Sequence, residues 1–471
     1  MPPERAERGG NLRALGLIQV FRLVSGFAIN VLLMRGLGVE GFGVYGYVLI
    51  LVNLASFGAT LGMDRLIKVE IAREPALAAR RVATGLAASL GLSAVTFAGI
   101  LAWAWGVDGR TTVILAAAMA SVALSLRSLA VIPVAAFHGT RRMGLGVAGE
   151  GVGRTVLVGA TAVFLALHLG VVAVFAAQVL DAIVTLGILW RSYRRHISQE
   201  PLATTRVEVL ALLRGALPFG LNSLFVAIYL TVDVVLLGCL KGDVEVGLYR
   251  GAVMLLSLFP IVADTISTGI FPRMAQHLGD REAAGRELRF LTRILLAVSV
   301  PVAVGGVMTA KPLMVLLGGE EFAASALLFT LMVPLLPLRY LDNAYGMVLQ
   351  ALDRPADQTR GSIIAAVFNV AANLLLIPRY GALAAAWVTV ATEVVLIVWL
   401  RARIRPLVTG GGALAALVRV GVPVACMAAA IWVLPPVHVT LTIAAGGAVY
   451  AAVGLLTGAW HPRDFSRLRK V

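Results

Sequence analysis

About fourteen long apolar runs, parted by short polar breaks, set the pattern of this chain. They cover 14–34, 43–63, 83–105, 112–134, 147–168, 171–190, 212–237, 246–271, 291–309, 324–349, 361–377, 382–400, 414–433 and 439–458. Each is near the roughly 20 residues that an α-helix needs to cross a hydrocarbon core. Within a run the apolar residues are continuous and do not alternate, so the pattern predicts spanning helices and not the strands of a barrel. The expected class is an all-α polytopic membrane protein. Pro218, Pro260, Pro334 and Pro337 fall inside runs and predict kinks, because proline removes a backbone hydrogen bond.

The charges in the breaks alternate along the chain. Even-numbered breaks hold Arg65, Lys68, Arg73, Arg80 and Arg81, then Arg141 and Arg142, then Arg191, Arg194, Arg195 and Arg206. Further along they hold Arg273, Arg281, Arg286 and Arg289, then Arg354 and Arg360, then Arg401, Arg403 and Arg405. Odd-numbered breaks hold at most one basic residue each, and only Arg35, Arg110, Lys241, Lys311 and Arg379 in all. This bias predicts that both termini, with Arg5, Arg8 and Arg13 at one end and Arg463, Arg467, Arg469 and Lys470 at the other, face the cytoplasm. The first run is long enough to stay as the first membrane helix, with no cleavable signal peptide evident. The stretch 191–214 is a candidate for a helix lying on the membrane surface.

Composition agrees: 59% of the 471 residues are hydrophobic, 14% are charged and the mean hydropathy is +0.90. A soluble chain would carry about a quarter charged residues. The net charge of +15 does not indicate nucleic acid, because the basic residues sit in short clusters between spans. Arginine, alanine and glycine outweigh lysine, as in GC-rich bacterial genomes. Cys239 and Cys426 form neither a metal spacing nor a disulfide framework, and the six histidines are scattered, so no metal or cofactor is expected.

Two internal echoes predict a repeat. The turn Leu37-Gly-Val-Glu-Gly-Phe-Gly-Val-Tyr-Gly-Tyr47 returns as Gly242-Asp-Val-Glu-Val-Gly-Leu-Tyr-Arg250, with Gly43 matching Gly247 and Tyr45 matching Tyr249 at a shift of 204. Gly170–Asp181 returns as Gly381–Thr392 at a shift of 211, with Glu393 beside the counterpart of Asp181. The expected organisation is a six-helix bundle over 1–200, a second over 201–410, and an extra helix pair with a cytoplasmic tail over 411–471. The glycines let the chain reverse, and the tyrosines suit a membrane interface. Parallel repeats of this kind place a substrate at their interface in known transporters.

The segment Asn373-Leu-Leu-Leu-Ile-Pro-Arg-Tyr-Gly-Ala-Leu-Ala-Ala-Ala-Trp-Val-Thr389 resembles a signature of polysaccharide-biosynthesis membrane proteins, as do the Arg35–Tyr45 and Val246–Tyr249 turns. That family holds the O-antigen-type flippases of lipid-linked oligosaccharides. Its superfamily, the multidrug/oligosaccharidyl-lipid/polysaccharide exporters, also includes drug/cation antiporters and peptidoglycan-precursor flippases. The resemblance covers nearly the whole chain. It implies translocation of an undecaprenyl-diphosphate-linked glycan from the cytoplasmic to the periplasmic leaflet of a bacterial inner membrane, with polysaccharide polymerase or export machinery as possible partners. Fourteen helices argue against the twelve of a typical drug antiporter. The extra pair, 414–433 and 439–458, is what lipid-carrier flippases use to form a groove for the lipid tail. The peptidoglycan-precursor branch carries two arginines in its first helix; here Arg22 lies near the first position and Ile29 occupies the second, which leans away from lipid II.

Charges inside spans are the candidates for function, since one at mid-bilayer costs at least about 2.5–3.5 kcal/mol. A diphosphate calls for guanidinium groups, which are permanently charged and bidentate toward phosphate oxygens. Arg22, Arg127, Arg154, Arg250 and Arg339 are the candidate cavity residues. Arg127 and Arg154 have a second reading, as partners of Glu150 or Asp181. Arg250 can instead snorkel to the interface, and Arg339 and Asp342, three apart, can neutralise each other. Asp233 and Asp264 are the candidates for ion coupling, with a structural hydrogen-bonding role as the alternative. Asp181 and Glu393, nearly equivalent in the two halves, suggest a shared packing role. Flipping makes and breaks no bond, so no catalytic residues are expected and the protein is not read as an enzyme. Two other activities stay open: a lipid II flippase, and a cation-coupled multidrug antiporter, whose cavity would be acidic. A membrane-embedded glycosyltransferase would want large outer loops, and every outer break here is short.

Overall fold

A computed structural model describes residues 3–277, 279–410, 412–434 and 438–459, with residues 3–18, 20, 218–219 and 221–230 described by backbone alone. Arg463, Arg467, Arg469 and Lys470 therefore lie outside the described residues, as do the side chains of Arg5, Arg8, Arg13 and Pro218. Helices account for most of the described residues, with no strand among them. Eleven helical stretches among them are long and apolar enough to cross a membrane. Two of these stretches, the first and the one over Pro355–Ile404, each hold two expected spans, bent at Gly38 and Gly381. The seventh expected span lies in Arg206–Lys241. Counted in this way, all 14 expected spans have helix beneath them. The chain is a multi-pass membrane protein.

Two compact units divide at Gly247. The first contains α1 (Pro3–Thr60), α2 (Met63–Arg73), α3 (Ala78–Trp103), α4 (Thr111–Gly139), α5 (Gly144–Ala166), α6 (Gly170–His196) and α7 (Arg206–Lys241). Helix α6 packs along α4 and α5, and α1 touches α3, α4, α5 and α7. The repeat would begin a second bundle before α7, yet α7 packs on α1, α2 and α3, and so clusters with the first unit.

Helix α2 was not marked by any apolar run. It is amphipathic, with Met63, Ile67 and Ile71 fully buried at four-residue spacing and Arg65 and Lys68 exposed. No separate surface helix occupies 191–214. Helix α6 runs on to His196, residues 197–205 form a non-helical link, and α7 opens with a capping box between Thr205 and Glu208.

The second unit contains the greater part of α8 (Asp243–Leu256), then α9 (Pro260–Ala275), α10 (Arg281–Met308), α11 (Ala310–Gly318), α12 (Ser325–Met332), α13 (Leu335–Ala351), α14 (Pro355–Ile404), α15 (Ala413–Val433) and α16 (Val439–Leu456). Helix α10 is central, with α9, α13 and α15 against it. The first helix of the C-terminal pair, α15, rests on α10 through Ala297, Val420, Val424 and Met427. Pro260 opens α9 and Pro334 caps α13, so both break their runs as expected. Pro337 sits in the first turn of α13, where no carbonyl is displaced, and produces no break.

The repeat is visible in the backbone. Gly38 (φ 68°, ψ −174°) and its counterpart Gly242 (φ 86°, ψ −176°) share a conformation that is essentially restricted to glycine. Gly170 and Gly381, the matched pair of the second echo, also have positive φ, 76° and 58°. The matched tyrosines differ from expectation. Tyr45 and Tyr249 are buried at 6% and 1% exposure, with their rings inside the protein. Each phenol finds a polar partner on a neighbouring helix: Gln178 Nε2 donates to Tyr45 Oη at 3.3 Å, and Tyr249 Oη lies 3.2 Å from Thr389 Oγ1. Gln178 and Thr389 are themselves matched at the 211-residue shift. The two tyrosines thus perform the same tie in the two halves, and a buried partner for the polar tip outweighs the interface.

Candidate functional site

A cavity of about 430 Å³ opens inside the first unit, lined by Arg22, Arg127, Glu150, Arg154, Asp181 and Thr185, with Ala130, Val131, Val134 and Leu189 as its apolar wall. Four helices supply the charges: α1 gives Arg22, α4 gives Arg127, α5 gives Glu150 and Arg154, and α6 gives Asp181 and Thr185. Close packing of α5 on α6 requires Gly153, because a Cβ there would collide with Thr185 Oγ1 and Asp181 Oδ1.

The charges pair unevenly. Arg127 Nη2 donates to Asp181 Oδ2 at 2.6 Å, and Thr185 Oγ1 donates to the other carboxylate oxygen at 3.2 Å. Arg22 pairs with Glu150. Arg154 has no carboxylate partner among the described residues; its Nε donates to Ser25 Oγ at 3.1 Å, and Ser25 in turn donates to the Arg22 carbonyl at 3.2 Å. Three guanidiniums therefore face two carboxylates, leaving one positive charge uncompensated in the cavity. Arg154 is at the middle of α5, at the depth where a charge is most costly. Gly26 on α1 makes room for it: a Cβ there would lie 3.1 Å from Arg154 Nη2. A half-buried guanidinium held only by a neutral hydroxyl is arranged to accept an anion.

The sequence-derived candidates thus separate. Arg22, Arg127 and Arg154 come together in this cavity. Arg250 is on α8 and Arg339 on α13, in the second unit, and neither lines it. Arg339 does not pair with Asp342 but reaches Glu393, with Nε 3.9 Å from Oε2. That contact repeats the first unit's pair: Arg127 to Arg339 and Asp181 to Glu393 are both shifts of 212 residues. Each half thus carries one arginine–carboxylate pair at equivalent positions. The alternation of apolar runs could not reveal this, since it needed both helices in place.

Of the coupling candidates, Asp233 is buried in α7, where its Oδ1 accepts the Val234 amide at 2.8 Å. Asp264 is exposed on α9 and accepts a hydrogen bond from Asn343 Nδ2 at 2.6 Å. Glu393, at 4% exposure, has its Oε1 buried without a hydrogen-bond partner, and Asp342 lies one turn from Arg339. The second unit therefore gathers two carboxylates around one arginine, the reverse of the first unit's balance. No cluster of metal-ligating side chains occurs among the described residues.

The chain matches the family model described as polysaccharide biosynthesis protein over residues 10–278, and the MatE model over 218–375. Among curated proteins it is 28% identical over 226 residues to the "Probable flippase AglR" of Haloferax volcanii. That alignment covers 47% of this chain and 46% of AglR, so the match spans about half the length of that relative. Among solved structures it resembles a lipid II flippase MurJ in an inward closed conformation, with TM-score 0.74 and 12% identity, covering 94% of this chain and 98% of that one. It also resembles an inward-facing multidrug resistance MATE family transporter, with TM-score 0.58 and 15% identity, covering 84% and 98%. At these identities the structural likeness establishes the fold.

Proposed function

Since the chain belongs to the polysaccharide biosynthesis protein family, we propose that it is a flippase carrying a polyprenyl-diphosphate-linked oligosaccharide across the membrane. The observation that carries this reading is Arg154, a guanidinium at mid-helix without a carboxylate partner among the described residues, in a cavity of net positive charge. A diphosphate would displace Ser25 as its acceptor and take bidentate hydrogen bonds from it. Arg22 and Arg127, already paired, would set the field and keep the cavity open to anions. The likeness to AglR supports flipping, the family match supports a polysaccharide precursor as cargo, and the first-helix pattern of Arg22 followed by Ile29 favours O-antigen, capsule or exopolysaccharide units over lipid II.

In this reading the polyprenyl tail stays in lipid beside the helix pair 411–471, and the bundles 1–200 and 201–410 alternate access to the two leaflets. Both termini are cytoplasmic and the membrane is a bacterial inner membrane, in keeping with the arginine distribution. Arg250 and Arg339 would meet the substrate only in another conformation. The driving force is the membrane potential, at about 2.3 kcal/mol per charge per 100 mV, or an ion taken up at Asp233 or Asp264. Deleting the gene tests the reading: undecaprenyl-linked glycan should accumulate on the cytoplasmic face, and wild type, but not Arg154→Gln, should clear it. Normal glycan export with only drug sensitivity altered would point instead to a cation-coupled antiporter, which the MatE match over 218–375 and the acidic balance of the second unit would favour.

A further inference from the structure

The two equivalent arginine–carboxylate pairs have different surroundings. In the first unit both oxygens of Asp181 are satisfied, one by Arg127 at 2.6 Å and the other by Thr185 Oγ1 at 3.2 Å. The 212-residue shift carries Arg127 to Arg339 and Asp181 to Glu393, but it also carries Thr185 to Ile397 and Ala130 to Asp342. The second unit has therefore lost a hydroxyl donor and gained an acid. Arg339 Nε stays 3.9 Å from Glu393 Oε2, too far for a hydrogen bond. The other oxygen, Oε1, is buried with no hydrogen-bond partner among the described residues.

The charged groups that act on Glu393 are Arg339 and Asp342, both from α13. Helix α12, also packed on α14, brings no titratable group, and Tyr249 of α8 is engaged with Thr389, one turn before Glu393. Glu393 is 4% exposed, whereas Asp342 is half-buried and the Arg339 side chain 38% exposed. All three fall inside apolar runs, where an exposed charge is tolerated against water and not against lipid, so Arg339 and Asp342 connect Glu393 with water. Fully ionised, two carboxylates around one guanidinium leave a negative charge uncompensated within the span. One proton makes the cluster neutral, and it belongs to the pair of acids and not to either alone. Glu393 Oε1 is the oxygen open to it, since Oε2 faces Arg339. We propose that Glu393 and Asp342 hold one exchangeable proton over Arg339, so that the second unit carries the proton and the first unit the anion. Its part in transport rests on the flippase reading, to which it adds a coupling site distinct from Asp233 and Asp264; the proton itself can be observed without any substrate.

Infrared difference spectroscopy of the full chain in lipid vesicles reads protonated carboxyl groups directly. Between pH 5 and pH 9 wild type should lose the carbonyl stretch of one protonated carboxyl as pH rises, and Glu393→Gln should lack that change. Asp342→Asn removes the neighbouring negative charge and should move the loss to lower pH by about one unit or more. Ile397→Thr restores the hydroxyl that Thr185 gives to Asp181 and should move it the same way. Asp264→Asn, outside the cluster, should titrate as wild type does. The proposal is overturned if no such band titrates, if the band survives Glu393→Gln or vanishes in Asp264→Asn, or if either Asp342→Asn or Ile397→Thr leaves it in place. Should Glu393→Gln not fold, the other variants decide. In the deletion strain Glu393→Gln should leave glycan accumulating, and normal clearance by it would overturn the coupling role. Failure of wild type itself to clear glycan would count against the flippase reading and leave the proton site standing.

Discussion

Gly43 is pressed against the main-chain carbonyl of Asp243, so closely that a Cβ at position 43 would overlap the oxygen. The relation is mirrored. A Cβ at Gly247 would overlap the carbonyl of Val39, and the 204-residue shift carries Val39 to Asp243 and Gly43 to Gly247. The repeated turns therefore touch each other through equivalent atoms, backbone to backbone. Arg110 secures the same place, with Nε donating to Asp108 Oδ1 at 2.7 Å and Nη2 to Asp243 Oδ1 at 3.2 Å. Neither carbonyl belongs to a flexible side chain that could move aside. Gly43→Ala and Gly247→Ala should each lower the thermal unfolding midpoint, by an overpacking cost of about 1–3 kcal/mol or more. Gly91→Ala, where a Cβ meets nothing within 4 Å, should be neutral or stabilising through helix propensity. Equal midpoints for Gly43→Ala and Gly91→Ala in detergent would refute the contact.

Arg127 and Asp181 should be separable from Arg154 by substitution. Arg127 is the ion-pair partner of Asp181, a carboxylate only 8% exposed, and removing it leaves that buried charge without its partner. Arg127→Ala should therefore reduce the folded yield sharply, and Arg127→Ala/Asp181→Ala should recover much of it. Arg154→Gln has no ion pair to break and should fold normally while losing transport. Measuring folded yield and glycan translocation on the same three variants checks the division. If Arg154→Gln destabilises as much as Arg127→Ala, then Arg154 is structural.

Much of this was legible in the chain, because the bilayer demands long apolar helices and the two echoes are separated by nearly constant shifts. Arg22, Arg127 and Arg154 could be marked for their depth alone. Which of them would be left without an acid could not be read, since α4, α5 and α6 bring Asp181 within reach of both Arg127 and Arg154, and only geometry decides. The burial of Tyr45 and Tyr249 was hidden for a related reason. An apolar ring with a polar tip suits an interface, but it suits a core equally when Gln178 or Thr389 waits on the facing helix. Helix α2 was hidden because its apolar face, three residues spaced by four, is too sparse to register as a run.

The tyrosine ties predict a destabilisation of unequal size in the two halves. Tyr45→Phe removes a partner of buried Gln178, and Tyr249→Phe removes one of Thr389. A buried polar group left unsatisfied costs about 1–3 kcal/mol. Gln178 is 7% exposed and cannot turn to water, whereas Thr389 Oγ1 also donates to the Ala385 carbonyl at 2.7 Å. Tyr45→Phe should therefore cost more than Tyr249→Phe. Thermal midpoints of the two single variants test the order, and a reversed order would show that Gln178 does not depend on the Tyr45 phenol.

Asp280 caps α10, the central helix of the second unit, by accepting the amides of Ala283 at 3.0 Å and Glu282 at 3.1 Å. Those hydrogen bonds, the Ala283 amide foremost, favour the carboxylate and hold Asp280 below its ordinary value of 3.8. A group whose value is depressed in the folded state stabilises above its unfolded value and loses that contribution as pH falls through the folded one. The cap should thus contribute in full at neutral pH and fade below about pH 4. Asp280→Asn keeps an acceptor but has no proton to gain. Wild type should unfold at a higher temperature than Asp280→Asn at pH 7, and the gap should close on acidification through the window below pH 4. A gap that stays constant from pH 7 to pH 3 would mean that the carboxylate charge takes no part in the cap.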